Sequence, residues 1–301
     1  RNEDLFSIMF TSGTTGLPKG VKVSNHQIGG LNIAFKNLFS LSYGEVVGCY
    51  VSFSFIASYM VYPVLAHGGC IRIFNENEQK NSLLLIEVLK ETPMNNIILP
   101  PSIGVPIYEN EDLKLKYLIL AGAKLNELSK RDRYTKIFNF YGTTEVIFAI
   151  SKIYDLNKVK DNRVPVGKPV ANTWVYVLDE NSNMMPIGVP GELCVSGEIM
   201  SSGYYNNPGL TNQFFVDNPF ADGKRNIIMY RTGDIGFYNQ DGEIEIIGRE
   251  DNQLSVRGFR VESDEIVTIM KKFKEISDIY LDVDHDNLIA YYTTNDELDT
   301  S

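Results

Sequence analysis

The sequence predicts an α/β protein: a mostly parallel sheet with crossover helices, then a smaller β-rich part, then the start of a third, α+β unit. Three observations predict it. Short apolar runs alternate with helix-period patterns as far as about residue 141. From about 165 to 248 the pattern changes to short strand-like segments broken by glycine and proline. After about 251, one helical stretch is followed by a hairpin-like pair.

Taken in order, residues 5–10 read as a buried strand, followed by strands at 48–54, 70–74, 96–99, 117–121 and 137–141. Helical periodicity covers 26–39, 59–67, 82–92 and 127–134, one pattern between most successive strands, as a parallel sheet requires. In such sheets ligands bind at the carboxyl ends of the strands. The β-rich part contributes strands at 173–178, 192–196 and 242–247, a pattern that fits a small barrel or a twisted sheet. The last unit offers a helix over 263–273 and strands at 278–283 and 287–293.

Composition removes several classes of function. With 301 residues the chain can bury a sizeable core and divides into two or three units. A net charge of −10, with no basic run, argues against a nucleic-acid surface. No apolar stretch approaches the roughly 18 residues that span a bilayer, and the first residues have no signal-peptide pattern. Cys49, Cys70 and Cys194 lie far apart without a CxxC, so neither a disulfide framework nor a zinc site is expected, and a reducing, cytoplasmic setting fits. His26, His67 and His285 each lack a suitably spaced partner for a triad or a metal centre. The start at Arg1, close to a functional loop, points to a piece of a longer protein.

Chemistry concentrates in a few clusters. Thr11-Ser12-Gly13-Thr14-Thr15-Gly16-Leu17-Pro18-Lys19-Gly20 brings three glycines, four hydroxyls and an ammonium together, a composition suited to cradling a polyphosphate. It is not a Walker A loop, since no Gly-Lys-Ser/Thr closes it and Pro18 stands where that motif's helix begins. A polar hairpin loop is the plainer alternative. Asn139-Phe140-Tyr141-Gly142-Thr143-Thr144-Glu145 ends a strand with an aromatic to stack a base and a carboxylate to hold a hard cation. Tyr230-Arg231-Thr232-Gly233-Asp234 places a carboxylate after a tight turn, able to accept hydrogen bonds from ribose hydroxyls or to serve a structural turn. The segments 248–253 and 257–262 form a charged, glycine-broken connection to the last unit.

In this order the clusters resemble the acyl-adenylate-forming superfamily, specifically the adenylation domains of nonribosomal peptide synthetases. The resemblance runs through Gly191-Glu192-Leu193-Cys194-Val195-Ser196-Gly197 and Gly203-Tyr204-Tyr205-Asn206-Asn207-Pro208-Gly209-Leu210-Thr211 and covers essentially the whole chain. It implies a large adenylate-forming N-terminal subdomain over residues 1–250, with mixed and parallel sheets, helices and a small β-barrel-like part. The hinge and the start of a small α+β C-terminal subdomain follow over 251–301. The implied chemistry is attack of a carboxylate on the α-phosphate of ATP, with magnesium, then transfer of the acyl group to the phosphopantetheine thiol of a carrier protein in the same polypeptide. Carried over by motif, Thr11, Ser12, Gly13, Thr14, Thr15, Gly16 and Lys19 contact the β- and γ-phosphates. Tyr141 and Gly142 take adenine, Thr144 approaches the α-phosphate, Glu145 holds magnesium, Asp234 binds ribose, Arg249 reaches ribose or phosphates, and Asp251 is the hinge.

The sequence departs from the family pattern in places. Thr143 stands for the usual proline of Tyr-Gly-Pro-Thr-Glu, Ser255 for a common lysine, and Ser263-Asp264 for Leu-Gly. The family's late Pro-x-Gly-Lys lysine is expected beyond Ser301, either directly or after an inserted domain, and about 150 residues are expected before the phosphate loop. The aspartate that pairs with a substrate α-ammonium is missing from Ser52-Phe53-Ser54-Phe55-Ile56-Ala57-Ser58-Tyr59-Met60, where Phe55 or Ile56 takes its place. An unpaired ammonium there costs several kcal/mol. With Tyr59, Ile98, Ile119, Ala121, Phe140, Phe148 and Ala149 as further lining, the expected substrate is a small apolar acid without an α-amine, a branched α-keto or α-hydroxy acid. An aryl acid, a hydrophobic amino acid, and a non-catalytic nucleotide-binding scaffold are the alternatives.

Overall fold

The computed structural model describes residues 1, 3–11, 18–39, 41–110, 112–113, 115–122, 125, 135–154, 164–223, 226–249, 253–256, 259–273, 275–284 and 287–294. The first two strands, β1 (Leu5–Thr11) and β2 (Lys19–Ser24), pair antiparallel, and their last pair is Thr11 with Lys19. The phosphate loop thus connects a hairpin, where the sequence pattern alone reads as a strand entering a parallel sheet. The run is only half buried and β2 follows the loop at once, leaving no room for a crossover helix.

Helix α1 (Asn25–Leu38) starts where Ser24 accepts a hydrogen bond from the Gln27 amide, supplying one of the acceptors a helix start lacks. Then come β3 (Val46–Cys49), a 3₁₀ turn over Ile56–Val61, α2 (Tyr62–Ala66), β4 (Cys70–Ile73), α3 (Glu76–Lys80), α4 (Ser82–Glu91) and β5 (Asn96–Leu99). They are followed by α5 (Pro101–Glu109), β6 (Tyr117–Leu120), β7 (Lys136–Tyr141), β8 (Ile150–Tyr154) and β9 (Lys168–Pro169). One seven-stranded sheet runs in the order β4-β3-β5-β6-β7-β8-β9, parallel from β4 to β7 and antiparallel at β8 and β9. The predicted 59–67 helix is divided into the 3₁₀ turn and α2, with Pro63 in the first turn of α2 where its missing N–H costs nothing. Helix α5 is not among the predicted helices; Pro100 caps it, Pro101 opens it where a missing N–H costs nothing, and Pro106 lies inside it. The expected helix at 127–134 lies outside the described residues.

Side-chain alternation splits this sheet between two cores. Ile98, Ile119, Phe138 and Phe140 face α1 with Leu31 and Phe35, while Ile97, Leu99, Leu118, Leu120 and Ile137 face Leu85, Leu89 and Ile107 of α4 and α5. Helices therefore cover both faces.

The β-rich part consists of β10 (Thr173–Leu178), β11 (Gly191–Gly197), α6 (Pro208–Phe214), β12 (Phe215–Asp217), β13 (Ile228–Tyr238) and β14 (Ile244–Arg249). It is an antiparallel sheet in the order β10-β11-β13, with β12 and β14 both paired to β13. The last unit has β15 (Gln253–Val256) paired with β16 (Phe259–Glu262), then α7 (Ser263–Met270), then the hairpin β17 (Ile276–Asp284) and β18 (Asn287–Thr294). No helix among the described residues is long and apolar enough to cross a membrane.

Candidate active site

The phosphate-loop stem is fixed from one side by the segment that precedes α6. Lys22 N donates to Gly203 O (2.9 Å), Ser202 N to Lys22 O (3.0 Å) and Tyr205 N to Gly20 O (2.7 Å), with a bridge between Val21 and Tyr204. This docking buries Lys19, whose ammonium lies 5.9 Å from the centre of the Phe214 ring. Thr11 closes the other side of the stem, and its hydroxyl oxygen has no hydrogen-bond partner among the described residues. Ser12, Gly13, Thr14, Thr15 and Gly16 lie outside the described residues.

The second cluster leaves the carboxyl end of β7 in a tight turn closed by Thr143 N donating to Val146 O at 3.1 Å. Gly142 is obligatory here: a Cβ on it would stand 2.3 Å from the Phe148 backbone nitrogen. Thr144 is buried, and Thr143 Oγ1, like that of Thr11, has no partner among the described residues. Glu145 is wholly buried. Its carbonyl accepts from Ser201 N (2.7 Å), and its Oε1 accepts from the Tyr204 hydroxyl (2.8 Å). Burial first, and the nearby Glu145 charge second, push the Tyr204 phenol far above its ordinary range, so it remains a donor to the carboxylate. Tyr204 thus joins the loop stem to Glu145, a role no local pattern announces.

The third cluster corrects its sequence reading. Thr232-Gly233-Asp234 is not a turn between strands: it lies inside the eleven-residue β13. The register jumps there, from Cys194↔Arg231 to Glu192↔Ile235, so β13 carries two more residues than β11 across the gap, and Gly233 takes φ +72° to form the bulge. Glu192 secures it, accepting from the Gly233 amide (3.0 Å) and from Arg231 Nε (2.7 Å), while the Thr232 hydroxyl donates to Leu193 O (2.8 Å). The bulge presents Asp234 to Arg249, its register partner on β14, at 2.7 Å from Nη1 to Oδ1. The Tyr141 hydroxyl donates to the other Asp234 oxygen, and Arg249 Nη2 also reaches Thr232 O at 3.3 Å. Burial, then the Asp234 charge, hold Tyr141 well above the usual phenol range. Tyr141, Asp234 and Arg249 are therefore one group, and Asp251 lies outside the described residues.

The acid-pocket candidates largely converge. Ile56, Tyr59, Ile98, Ile119, Ala121, Phe140 and Phe148 belong to one buried cluster, with Phe55 packed against it. The Phe140 and Phe148 rings meet edge to face at 5.4 Å. Phe148 holds φ +54°, uncommon for a bulky residue. Ala149 is the exception: it is buried in a different cluster, with Val146, Ile150 and Val195.

The residues fit a nucleotide and a magnesium ion. A buried carboxylate beside hydroxyls suits a small hard cation that keeps most of its ligands as waters and phosphate oxygens, and the Thr11 and Thr143 hydroxyls have no partner among the described residues. No group of three or more His, Cys, Asp or Glu side chains that could hold a metal ion occurs among the described residues.

Comparison with known proteins gives the family and the fold. A family model described as AMP-binding enzyme matches residues 1–205. Bacitracin synthase 3 of Bacillus licheniformis is 36% identical over 305 residues, covering 99% of this chain and 5% of that protein. Gramicidin S synthase 1 of Brevibacillus brevis is 33% identical over 290 residues, covering 95% of this chain and 26% of that protein. Among solved structures, PA1221, a nonribosomal peptide synthetase protein containing adenylation and carrier (PCP) domains, superposes with a TM-score of 0.85 at 24% identity, covering 98% of this chain and 53% of that one. The Vibrio cholerae adenylation domain AlmE, solved with glycyl-adenosine-5'-phosphate, gives 0.83 at 22% identity, covering 99% of this chain and 59% of that one. The fold is that of an adenylation domain, the sequence relatives are peptide synthases, and the chain belongs to the AMP-binding enzyme family.

Proposed function

We propose that the chain is the part of a nonribosomal synthetase that activates a carboxylic acid as its acyl-adenylate. The observation that carries the reading is the convergence of Lys19, Glu145 and the Tyr141–Asp234–Arg249 group, each held by contacts from distant elements. In the reaction a carboxylate oxygen forms a bond to the α-phosphorus of ATP, the bond from that phosphorus to the β-phosphate bridging oxygen breaks, and pyrophosphate leaves. The carboxylate is already a nucleophile, so catalysis rests on alignment and charge neutralisation rather than on a general base. Lys19, with the Thr11 hydroxyl and the loop that follows it, neutralises and grips the β- and γ-phosphates. Tyr141 and Gly142 receive adenine, Asp234 accepts from the ribose hydroxyls, Arg249 orients Asp234, and Thr144 lies toward the α-phosphate. Glu145 holds the magnesium ion, which when bound offsets the charge developing on the phosphate oxygens.

For the substrate, we favour a small branched apolar acid without an α-amine, such as an α-keto or α-hydroxy acid. Ile56 occupies the buried start of the 3₁₀ turn, and the residues 52–60 that stand where the family carries its aspartate include no carboxylate. A hydrophobic amino acid is the second reading; that an adenylation domain of this fold takes an amino acid at all is supported by AlmE, solved with glycyl-adenosine-5'-phosphate. The partner we propose is a phosphopantetheine-bearing carrier protein, in line with the adenylation and carrier pairing named for PA1221. ATP–pyrophosphate exchange by the full-length protein with 2-ketoisocaproate, leucine, benzoate and octanoate separates the readings. Exchange is expected with 2-ketoisocaproate; strong exchange with leucine alone overturns the amine-free assignment, and none with any acid overturns the activity.

A further inference from the structure

We propose that Ser7 is a positioning residue for the acid pocket: its hydroxyl fixes the phenol of Tyr59, tying the pocket wall to the strand that runs into the phosphate loop. The proposal rests on the acid-activating reading above. Ser7 lies on β1, four residues before Thr11, and its main chain is held by pairing with Val23 of β2. Tyr59, 52 positions later, sits in the 3₁₀ turn and is buried in the apolar cluster that holds the pocket candidates. The two hydroxyls share a hydrogen bond of 2.5 Å. The ring is clamped as well: Phe6 meets it edge on at 5.6 Å, and Tyr62 packs at 5.3 Å.

Two consequences follow from this arrangement. The Tyr59 hydroxyl is engaged by Ser7, so toward the pocket the residue contributes an aromatic face, in keeping with an apolar acid. Burial raises the phenol's pKa while the Ser7 bond pulls it partly back, so Tyr59 stays neutral and the contact persists over the working range of pH. Without the Ser7 hydroxyl, a partly buried phenolic oxygen loses its partner, and the ring is freed to turn from its seat.

The test uses Ser7→Ala, Ser7→Thr, Tyr59→Phe and the double variant Ser7→Ala/Tyr59→Phe in the full-length protein. Pyrophosphate exchange with the preferred acid gives KM for the acid, KM for ATP and kcat, and thermal unfolding is recorded for each. Ser7→Ala is expected to raise KM for the acid about tenfold, with kcat and KM for ATP within about twofold of the parent. Ser7→Thr, which keeps the hydroxyl, is expected to restore it. The double variant is expected to be no worse than Tyr59→Phe alone. An unchanged KM for the acid in Ser7→Ala, a loss confined to kcat, or strictly additive effects overturn the proposal. If the parent exchanges with no acid, the activity reading fails separately. The Ser7–Tyr59 contact is then judged from unfolding, where non-additive melting temperatures support it and additive ones overturn it.

Discussion

Asp234→Asn tests whether Tyr141, Asp234 and Arg249 act as one unit. The Asp234 and Arg249 side chains are only 10% and 18% exposed, and their 2.7 Å contact bridges neighbouring strands beside a bulge. Asparagine keeps the shape and an acceptor for the Tyr141 hydroxyl but removes the charge opposing the guanidinium. Removing one partner of a buried ion pair typically costs about 3–5 kcal/mol; with some exposure and the amide oxygen retained, about 2–3 kcal/mol is expected here. Losing a charged acceptor for ribose adds a binding penalty of about 1.5–3 kcal/mol, roughly ten- to a hundredfold in Kd. Urea unfolding reads the first quantity and calorimetric titration with ATP the second. Unfolding within about 0.5 kcal/mol of the parent, the usual span of surface substitutions, together with unchanged ATP affinity, refutes the reasoning.

Three further outcomes are expected. Tyr204→Phe removes the 2.8 Å donor to the buried Glu145; a loss of about 1.5–3 kcal/mol in urea unfolding and a several-fold rise in the magnesium concentration for half-maximal exchange should appear together. An unchanged magnesium requirement rejects the link between Tyr204 and Glu145. For the cysteines, Cys70 is exposed while Cys49 and Cys194 are buried, so a thiol reagent at pH 8 should count one fast site in the folded protein and three after denaturation. Burial raises Cys49 to about 11 and Cys194 to about 12 from an ordinary 9.0. Both thiols hold their protons more tightly folded than unfolded, so their share of stability is intact below about pH 9 and is lost as pH rises toward 11 and 12. Unfolding measured at pH 8 and 10.5 should show the decline, and equal stability at both excludes it.

The parallel strands were legible because burial on both faces forces continuous apolar runs: Asn96–Leu99 and Tyr117–Leu120 are buried at every position. The clusters proposed for the nucleotide site stand out as local compositions. What was not legible depended on distance along the chain. The Thr232-Gly233-Asp234 run reads locally as a turn, and only Glu192, about forty residues earlier, turns it into a bulge within a strand. Tyr204 acquires its role from Glu145, 59 positions away. Helix α5, with Pro100 at its cap, Pro101 at its start and Pro106 inside, is not among the predicted helices. Ala149, carried over with the family's pocket correspondence, is buried instead in the other core with Val146, Ile150 and Val195, a placement that only the three-dimensional packing shows.

The left-handed backbone at Phe148 also constrains any redesign of substrate choice. A library at this position samples conformational cost along with side-chain size. Valine, isoleucine and threonine carry the largest backbone penalty whatever their fit to a new acid, whereas glycine and asparagine open the pocket and relieve the strain together. In the proposed acid pocket, enlargement at this position is therefore easier than reshaping with branched residues.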